Sequence, residues 1–413
     1  MRRLLAALAA TAAWSAVALA PAPPESAPER RVLRLHCTPA DRDPGRYQYV
    51  PVTIAEGTTP ITIAYRYDRA NGANAVDLGL FEAGPLTLGT RAFRGWSGGS
   101  RDQAVVAVDE AAPGYWPGAL PAGEWHVALG LYKVAPAGVG VELQVETSRS
   151  SLGPTPALAP RPDEPIRRGE AWYAGDLHVH TLHSDGSVSA AAAARAAREA
   201  GLDFIAITDH NNTTHQLETT DAPGLLAITG EEVTTPGGHA NVWGLRGWRG
   251  EIDFRLAGVG SSDWHRAPAP LGRAGVRVRA EELSTQAILA AIRAGRVVVM
   301  GDARTPPPIL TVRAGNATAG IGDTLRLRAD EVFDVEVVAA DPAFAKSRVT
   351  LAATAGPPAR RRFLPASPPA SRASAPPSTW RRDPRRGRRA ARPHQPRVRR
   401  RRESRSSVTH PTT

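Results

Sequence analysis

The sequence predicts a multidomain chain: an N-terminal all-β sandwich, an α/β unit, a small β appendage and a C-terminal tail that does not fold. Three observations predict it. Short alternating apolar runs, cut by Gly and Pro turns, fill residues 31–147. Strand and helix patterns then alternate from 170 to 300. From residue 346 the composition collapses into Arg, Pro, Ser and Ala, with too little apolar periodicity to bury a core.

Residues 1–20 read as a secretory signal, with Arg2-Arg3 as the basic region, Leu4–Ala20 as the apolar run and Ala18-Leu19-Ala20 as a small-residue cleavage site. This implies a secreted, periplasmic or envelope protein without a stable membrane span. The net charge of +11 is unevenly spread: Ser347–Thr413 carries +16, so the rest of the chain carries −5. The basic pI therefore belongs to the tail, and the folded part gives no support for nucleic-acid binding. Cys37 is the only cysteine, which excludes an intramolecular disulfide and a multi-thiolate zinc site.

In residues 31–147, strands are expected over Ile61–Tyr67, Ala75–Phe81, Gln103–Val108, Glu124–Val134 and Val139–Val145. Trp96, Trp116 and Trp125 read as core or turn aromatics, and His126 as a strand residue among apolar neighbours. Pro-rich residues 148–168 form a linker. Asp176–Thr181 is the next strand, followed by a helix over Ser187–Ala200 that stops at Gly201. Asp203–Thr208 is a continuous apolar strand of the kind covered on both faces. Further strands are expected at Leu225–Val233, His239–Gly244 and Arg296–Met300, with a helix over Ser284–Ala294. The alternation implies a parallel sheet or barrel whose ligands gather at the strand C-terminal ends. Residues 301–345 read as the β appendage.

Seven of the eleven histidines fall between residues 178 and 265. His178 and His180 are two apart on a strand and so share a face, and Asp263-x-His265 repeats that spacing. Asp209-His210 closes the apolar strand, Glu231-Glu232 follows another apolar run, and His239 opens the next. Each piece sits next to the end of a strand pattern, so all of them are expected to converge on one rim; the bland alternative is a set of capping and solvated polar residues in loops. Imidazoles and carboxylates together, without thiolate, are a donor set for Zn, Mn or Fe. There is no nucleophilic-serine elbow and no P-loop, so covalent acyl transfer and nucleoside-triphosphate handling are unsupported.

The segments DLHVHTLHSDG, GLDFIAITDHN, GEEVTTPGGHANVWGL and GSSDWH resemble the PHP (polymerase and histidinol phosphatase) metal-dependent phosphoesterases, above all the secreted branch of carbaryl-hydrolase-like metallohydrolases. The resemblance covers residues 170–300. It implies a distorted (β/α) barrel holding two to three divalent metals. It places His178, His180, Glu232 and Asp263 on one metal, and Asp185, His210 and His265 on a second. Glu232 and His239 share a third. Asp209 takes an orienting role on a ligating histidine, while His183 and His215 receive no ligand role and read as solvated loop residues. The implied reaction is hydrolysis of phosphomono- or phosphodiesters, including nucleotide or nucleic-acid ends, by metal-activated water. The alternatives are carbamate or carboxylic ester hydrolysis, or an inactive metal-binding remnant.

The chain is shorter than the family between Gly244 and Gly258, where an Asn-His-Pro strand end normally completes the third metal site. The barrel is therefore incomplete. An arginine-rich, patternless terminus is also what a shifted reading frame in a GC-rich gene yields.

Overall fold

The computed structural model describes residues 26–338, apart from 43–46, 89, 151–152, 161–163, 221, 236–237, 248–258 and 329–330. The expected signal (1–20), the tail (346–413) and the shortened junction at 252–257 lie outside the described residues.

Eight strands build the N-terminal half: β1 (Ser26–Cys37), β2 (Gln48–Ile54), β3 (Pro60–Tyr67), β4 (Ala75–Phe81), β5 (Phe93–Gly98), β6 (Gln103–Ala107), β7 (Gly123–Lys133) and β8 (Val139–Arg149). They form two four-stranded antiparallel sheets, ordered β1-β8-β3-β6 and β2-β7-β4-β5. Alternate residues of both sheets, including Ile61, Ile63, Val76, Leu78, Leu80, Trp125, Val127 and Leu143, pack into one core. Strands β1, β2 and β5 are not anticipated by periodicity. In β2 the pattern is broken by Pro51, which is tolerated because β2 is an edge strand. On the outer face of the second sheet Trp96 lies across Gly79 and Gly130. A side chain at Gly79 would come within 2.3 Å of the indole, so only glycine admits this packing.

The second half is a six-stranded sheet with two helices. Its elements are β9 (Arg167–Val179), α1 (Ala190–Glu199), β10 (Phe204–Ile207), β11 (Leu226–Thr235), β12 (Gly238–Trp243), β13 (Arg273–Leu283), α2 (Thr285–Arg293) and β14 (Val297–Asp302), in sheet order β12-β11-β10-β9-β13-β14. Both helices start on a serine whose hydroxyl accepts a backbone N–H three residues on, Ser189 from Ala192 and Ser284 from Ala287. Helix α1 presents Ala190, Ala193, Ala194 and Ala197 to Ile205 and Ile207, while Phe204 and Ala206 face Ile288 and Ile292 of α2. Both faces of β10 are thus covered, which accounts for its unbroken apolar run.

The expectation of a parallel sheet needs correction. Only β9–β10 and β10–β11 are parallel; β11–β12, β9–β13 and β13–β14 are antiparallel. Strand β12 begins only three residues after the end of β11, too soon for the crossover a parallel partner requires. Among the described residues the sheet stays open between β12 and β14 rather than closing into a barrel. Beyond it, β15 (Ile309–Ala314), β16 (Ala317–Ala319) and β17 (Asp334–Val338) form a small antiparallel sheet.

The sandwich and the α/β unit touch at one place that matters. Ser100 Oγ donates to Ser184 O at 2.8 Å, Arg101 donates to Leu182 O, and Gly114 N donates to Thr214 Oγ1 at 3.0 Å. A Cβ on Gly114 would lie 2.8 Å from His183 O. The sandwich therefore rests directly on the loop that follows β9.

Candidate metal centre

The three parallel strands end side by side and deliver their next residues to one rim. Strand β9 leads into His180, β10 into Asp209-His210, and Glu232 sits within β11. The segment 262–265 runs alongside the end of β9, with Trp264 N donating to His178 O at 3.1 Å and His180 N donating to Trp264 O at 2.9 Å. Trp264 is buried, and this places Asp263 and His265 on either side of it over the rim. Asp263 sits at φ 53°, a left-handed conformation uncommon for a residue other than glycine and frequent at functional sites. Strand β12 pairs Asn241 with Glu232 and His239 with Thr234, adding a fourth edge.

Seven side chains converge as three overlapping groups: His180 with Asp185, His210 and His265; His178 with His180 and Glu232; and His210 with Glu232 and His239. In each, one donor atom per residue lies within 4.8 Å of the others. Asp263 Oδ1 joins the second group, 3.3 Å from His178 Nε2 and 3.1 Å from His180 Nε2. Asp185 Oδ1 lies 3.5 Å from His210 Nε2 and 3.3 Å from His265 Nε2.

Each imidazole is held by its Nδ1 edge. His180 Nδ1 meets Ser184 Oγ at 3.1 Å, His210 Nδ1 meets Thr234 Oγ1 at 2.6 Å, and His265 Nδ1 meets Asp263 O at 2.8 Å. His239 Nδ1 meets Glu232 Oε1 at 3.1 Å. The Asn241 amide faces His178 Nδ1 at 3.0 Å. With the amide turned so that its oxygen accepts Nδ1–H, the Nε2 lone pair of His178 is left free. Such partners fix the tautomer that a cation needs. Sequence reasoning missed Ser184, Thr234 and Asn241, because short polar residues in turns and hairpins carry no distinguishing signal.

The electrostatics are those of a cluster of opposite charges brought close. Burial opposes charge on His210, but Asp185 and Glu232 outweigh it and hold the imidazolium up at about 10. Asp185 does the same for His265, against burial, with a value of about 9. Burial works to raise Asp185 and Glu232, yet the neighbouring histidines carry both carboxyls well below the usual range. His180 likewise lowers Asp263.

Asp209 is fully buried and does not touch a ligand-candidate histidine directly. Its carboxylate accepts Thr181 N at 2.7 Å, Thr181 Oγ1 at 2.8 Å and Ser184 Oγ at 2.7 Å, so it reaches His180 only through Ser184. His215 Nδ1 lies 3.2 Å from it, and against the cost of burial that histidine keeps the carboxyl far below the ordinary range. The reading of His183 and His215 as solvated is overturned: both are buried. His183 bridges Thr214 Oγ1 (2.7 Å) and Glu218 Oε1 (2.9 Å), and Glu218 Oε2 accepts Ala190 N at the start of α1. These histidines brace the loop beneath the rim.

Against known proteins, residues 176–237 match the family model described as PHP domain. That segment carries His178, His180, Asp185, Asp209, His210 and Glu232; His239, Asp263 and His265 lie beyond it. Among solved structures, a two-domain protein from Bacteroides vulgatus ATCC 8482 containing a predicted PHP-like metal-dependent phosphoesterase is similar at 18% identity. The similarity covers 35% of this chain and 70% of that chain, with a TM-score of 0.26. No curated protein matches. No helix among the described residues is long and apolar enough to cross a membrane.

Proposed function

We propose that the chain is an exported metal-dependent phosphoesterase whose eight rim residues hold two to three divalent ions, Zn, Mn or Fe. The observation that carries this reading is Glu232 Oε2. It is buried and no hydrogen bond of acceptable geometry reaches it, and His178 Nε2 (3.4 Å) and His180 Nε2 (3.4 Å) both face it. His178 Nε2 and His180 Nε2 also face each other at 2.9 Å. Nitrogen and oxygen lone pairs aimed at one another suit a shared cation, and the donor set fits Zn, Mn or Fe.

His178, His180, Glu232 and Asp263 would hold one ion, and Asp185, His210 and His265, with His180 beside them, another. Glu232 and His239 offer too few donors for tight binding of a third. Bound ions would supply the positive charge that neutralises phosphoryl oxygens and acidifies water. The chain's own contribution is geometry. Asp209 and Ser184 fix His180, and Thr234 fixes His210. Small phosphomono- or phosphodiesters, nucleotides among them, are the substrate class.

The direct test measures bound metal by mass spectrometry and turnover of p-nitrophenyl phosphate, its diester and a naphthyl carbamate, each with and without chelator. Chelator-sensitive phosphoester turnover is expected. Carbamate turnover alone would replace the phosphoesterase reading with that of the carbaryl-hydrolase-like branch, and no metal with no turnover would discard both.

Metal uptake should also release protons. Ligation needs neutral imidazoles, whereas His210 and His265 stay protonated up to about 10 and about 9 in the metal-free protein. At pH 7.5 about two protons should leave per protein on loading, and affinity should rise with pH. Calorimetry in buffers of different ionisation enthalpy reads the number; a value of zero would contradict the assignment of these two histidines.

A further inference from the structure

We propose that Asp176, on β9 below the rim, is a positioning residue of the metal centre. Its one carboxylate sets both the strand end that carries His178 and the segment that carries Asp263 and His265. The inference rests on the metal-centre reading above and deepens it, since Asp176 lies outside all three ligand groups.

Four donors converge on this fully buried side chain. Oδ1 accepts Ser262 N at 3.1 Å and His178 N at 3.3 Å, while Oδ2 accepts Gly272 N at 3.0 Å and the Ser262 hydroxyl. Only a carboxylate presents acceptors at both ends, so neither an amide nor a hydroxyl side chain can meet all of them.

The bond to His178 belongs to an irregularity of β9. Strand β10 pairs Ile205 with Asp176 but Ile207 with Val179, so β9 spends one residue more than its partner over this stretch. A bulge of this kind re-aims the side chains at a strand end. The Asp176 carboxylate holds the His178 N–H inside it, just before His180 emerges.

The bonds to Ser262 and Gly272 bracket the second segment. Gly272 directly precedes β13, so the sheet fixes its place, and Asp176 ties Ser262 to the same point. Between them, Trp264 docks on β9 through the His178 carbonyl and the His180 N–H. Asp263 therefore stands between two held neighbours. A φ of 53° at a residue other than glycine persists only where the surroundings impose it, and these two attachments do so. One side chain thus registers donors from two segments far apart in sequence, and any shift of Ser262 displaces Asp263 and His265 together.

The test compares the full chain with Asp176→Asn and Ser262→Ala. The first keeps an oxygen for the Oδ1 partners but turns an amide NH₂ towards Gly272 N–H; the second removes only the hydroxyl bond. Hydrogen exchange, followed by mass spectrometry, is measured on the metal-free proteins, and MnCl₂ and ZnCl₂ are titrated into each calorimetrically. We expect faster exchange confined to residues 260–272 in both variants. Metal affinity should fall about tenfold in Asp176→Asn, as for other outer partners of metal ligands, and by less in Ser262→Ala. Unchanged affinity, or exchange that quickens throughout the α/β unit, would make Asp176 a packing residue and overturn the inference. If Asp176→Asn does not fold, Ser262→Ala decides on the same two measurements. Wild-type protein that takes up neither ion removes the metal centre itself, and the inference with it; variants that bind metal as wild type does remove the inference alone.

Discussion

His180→Ala should abolish metal-dependent turnover. His180 is fully buried and belongs to two of the three convergent groups, so its removal strips a donor from both. Charge stabilisation by a bound ion is worth several kcal/mol, and every ~1.36 kcal/mol is tenfold in rate, so a loss on the order of 10³-fold is expected. Metal content measured alongside kcat should fall in parallel. Full metal content with full activity would remove His180 from the site. His239→Ala offers the contrast: it belongs only to the group shared with His210 and Glu232 and is exposed, so its effect should be far smaller.

Asp209→Ala should be the most destabilising substitution in the α/β unit. Its carboxylate accepts three hydrogen bonds inside a fully buried pocket, and its removal orphans Thr181 N and leaves the Thr181 and Ser184 hydroxyls to find other partners. Breaking such a buried arrangement costs about 3–5 kcal/mol. At 2–4 °C per kcal/mol for a unit of this size, melting should drop by roughly 10 °C. The pH sign follows from the depressed carboxyl. The unfolded carboxylate titrates near 4 and the folded one well below it. The stabilisation is therefore complete above the unfolded value and is lost as pH falls through the folded one. The wild-type and variant melting curves should converge in strong acid; a gap of less than 1 °C at neutral pH would contradict the role given to Asp209.

Much of the rim could be read before folding because strand geometry is short-range. His178-x-His180 and Asp263-x-His265 needed only the two-residue repeat of an extended chain to share a face, and the run ending at Ile207 marked where Asp209 and His210 emerge. What escaped depends on pairing between distant segments. Asn241 reaches His178 only because β12 folds back on β11 in the register that sets it opposite Glu232. His183 and His215 are polar in sequence and buried in space because Glu218 and Asp209 arrive from elsewhere to meet them. The sheet's mixed direction was hidden for a similar reason: alternation of strand and helix predicts crossovers, and here β11 to β12 is a hairpin. The sandwich's involvement with the rim was invisible, since nothing in the Ser97–Arg101 turn announces a partner in the loop 181–184.

That contact makes the two halves thermodynamic neighbours rather than beads on a string. Ser100, Arg101 and Gly114 use backbone groups or the Thr214 hydroxyl as their partners in the other half, so the bonds exist only while the loop keeps its shape. Whatever stiffens the loop raises the free energy needed to open the sandwich edge, and loosening that edge frees the loop in return. The half with no histidine ligand thus becomes a gauge of the other: its melting reports, from the far side of a β-sheet, how firmly the rim is held.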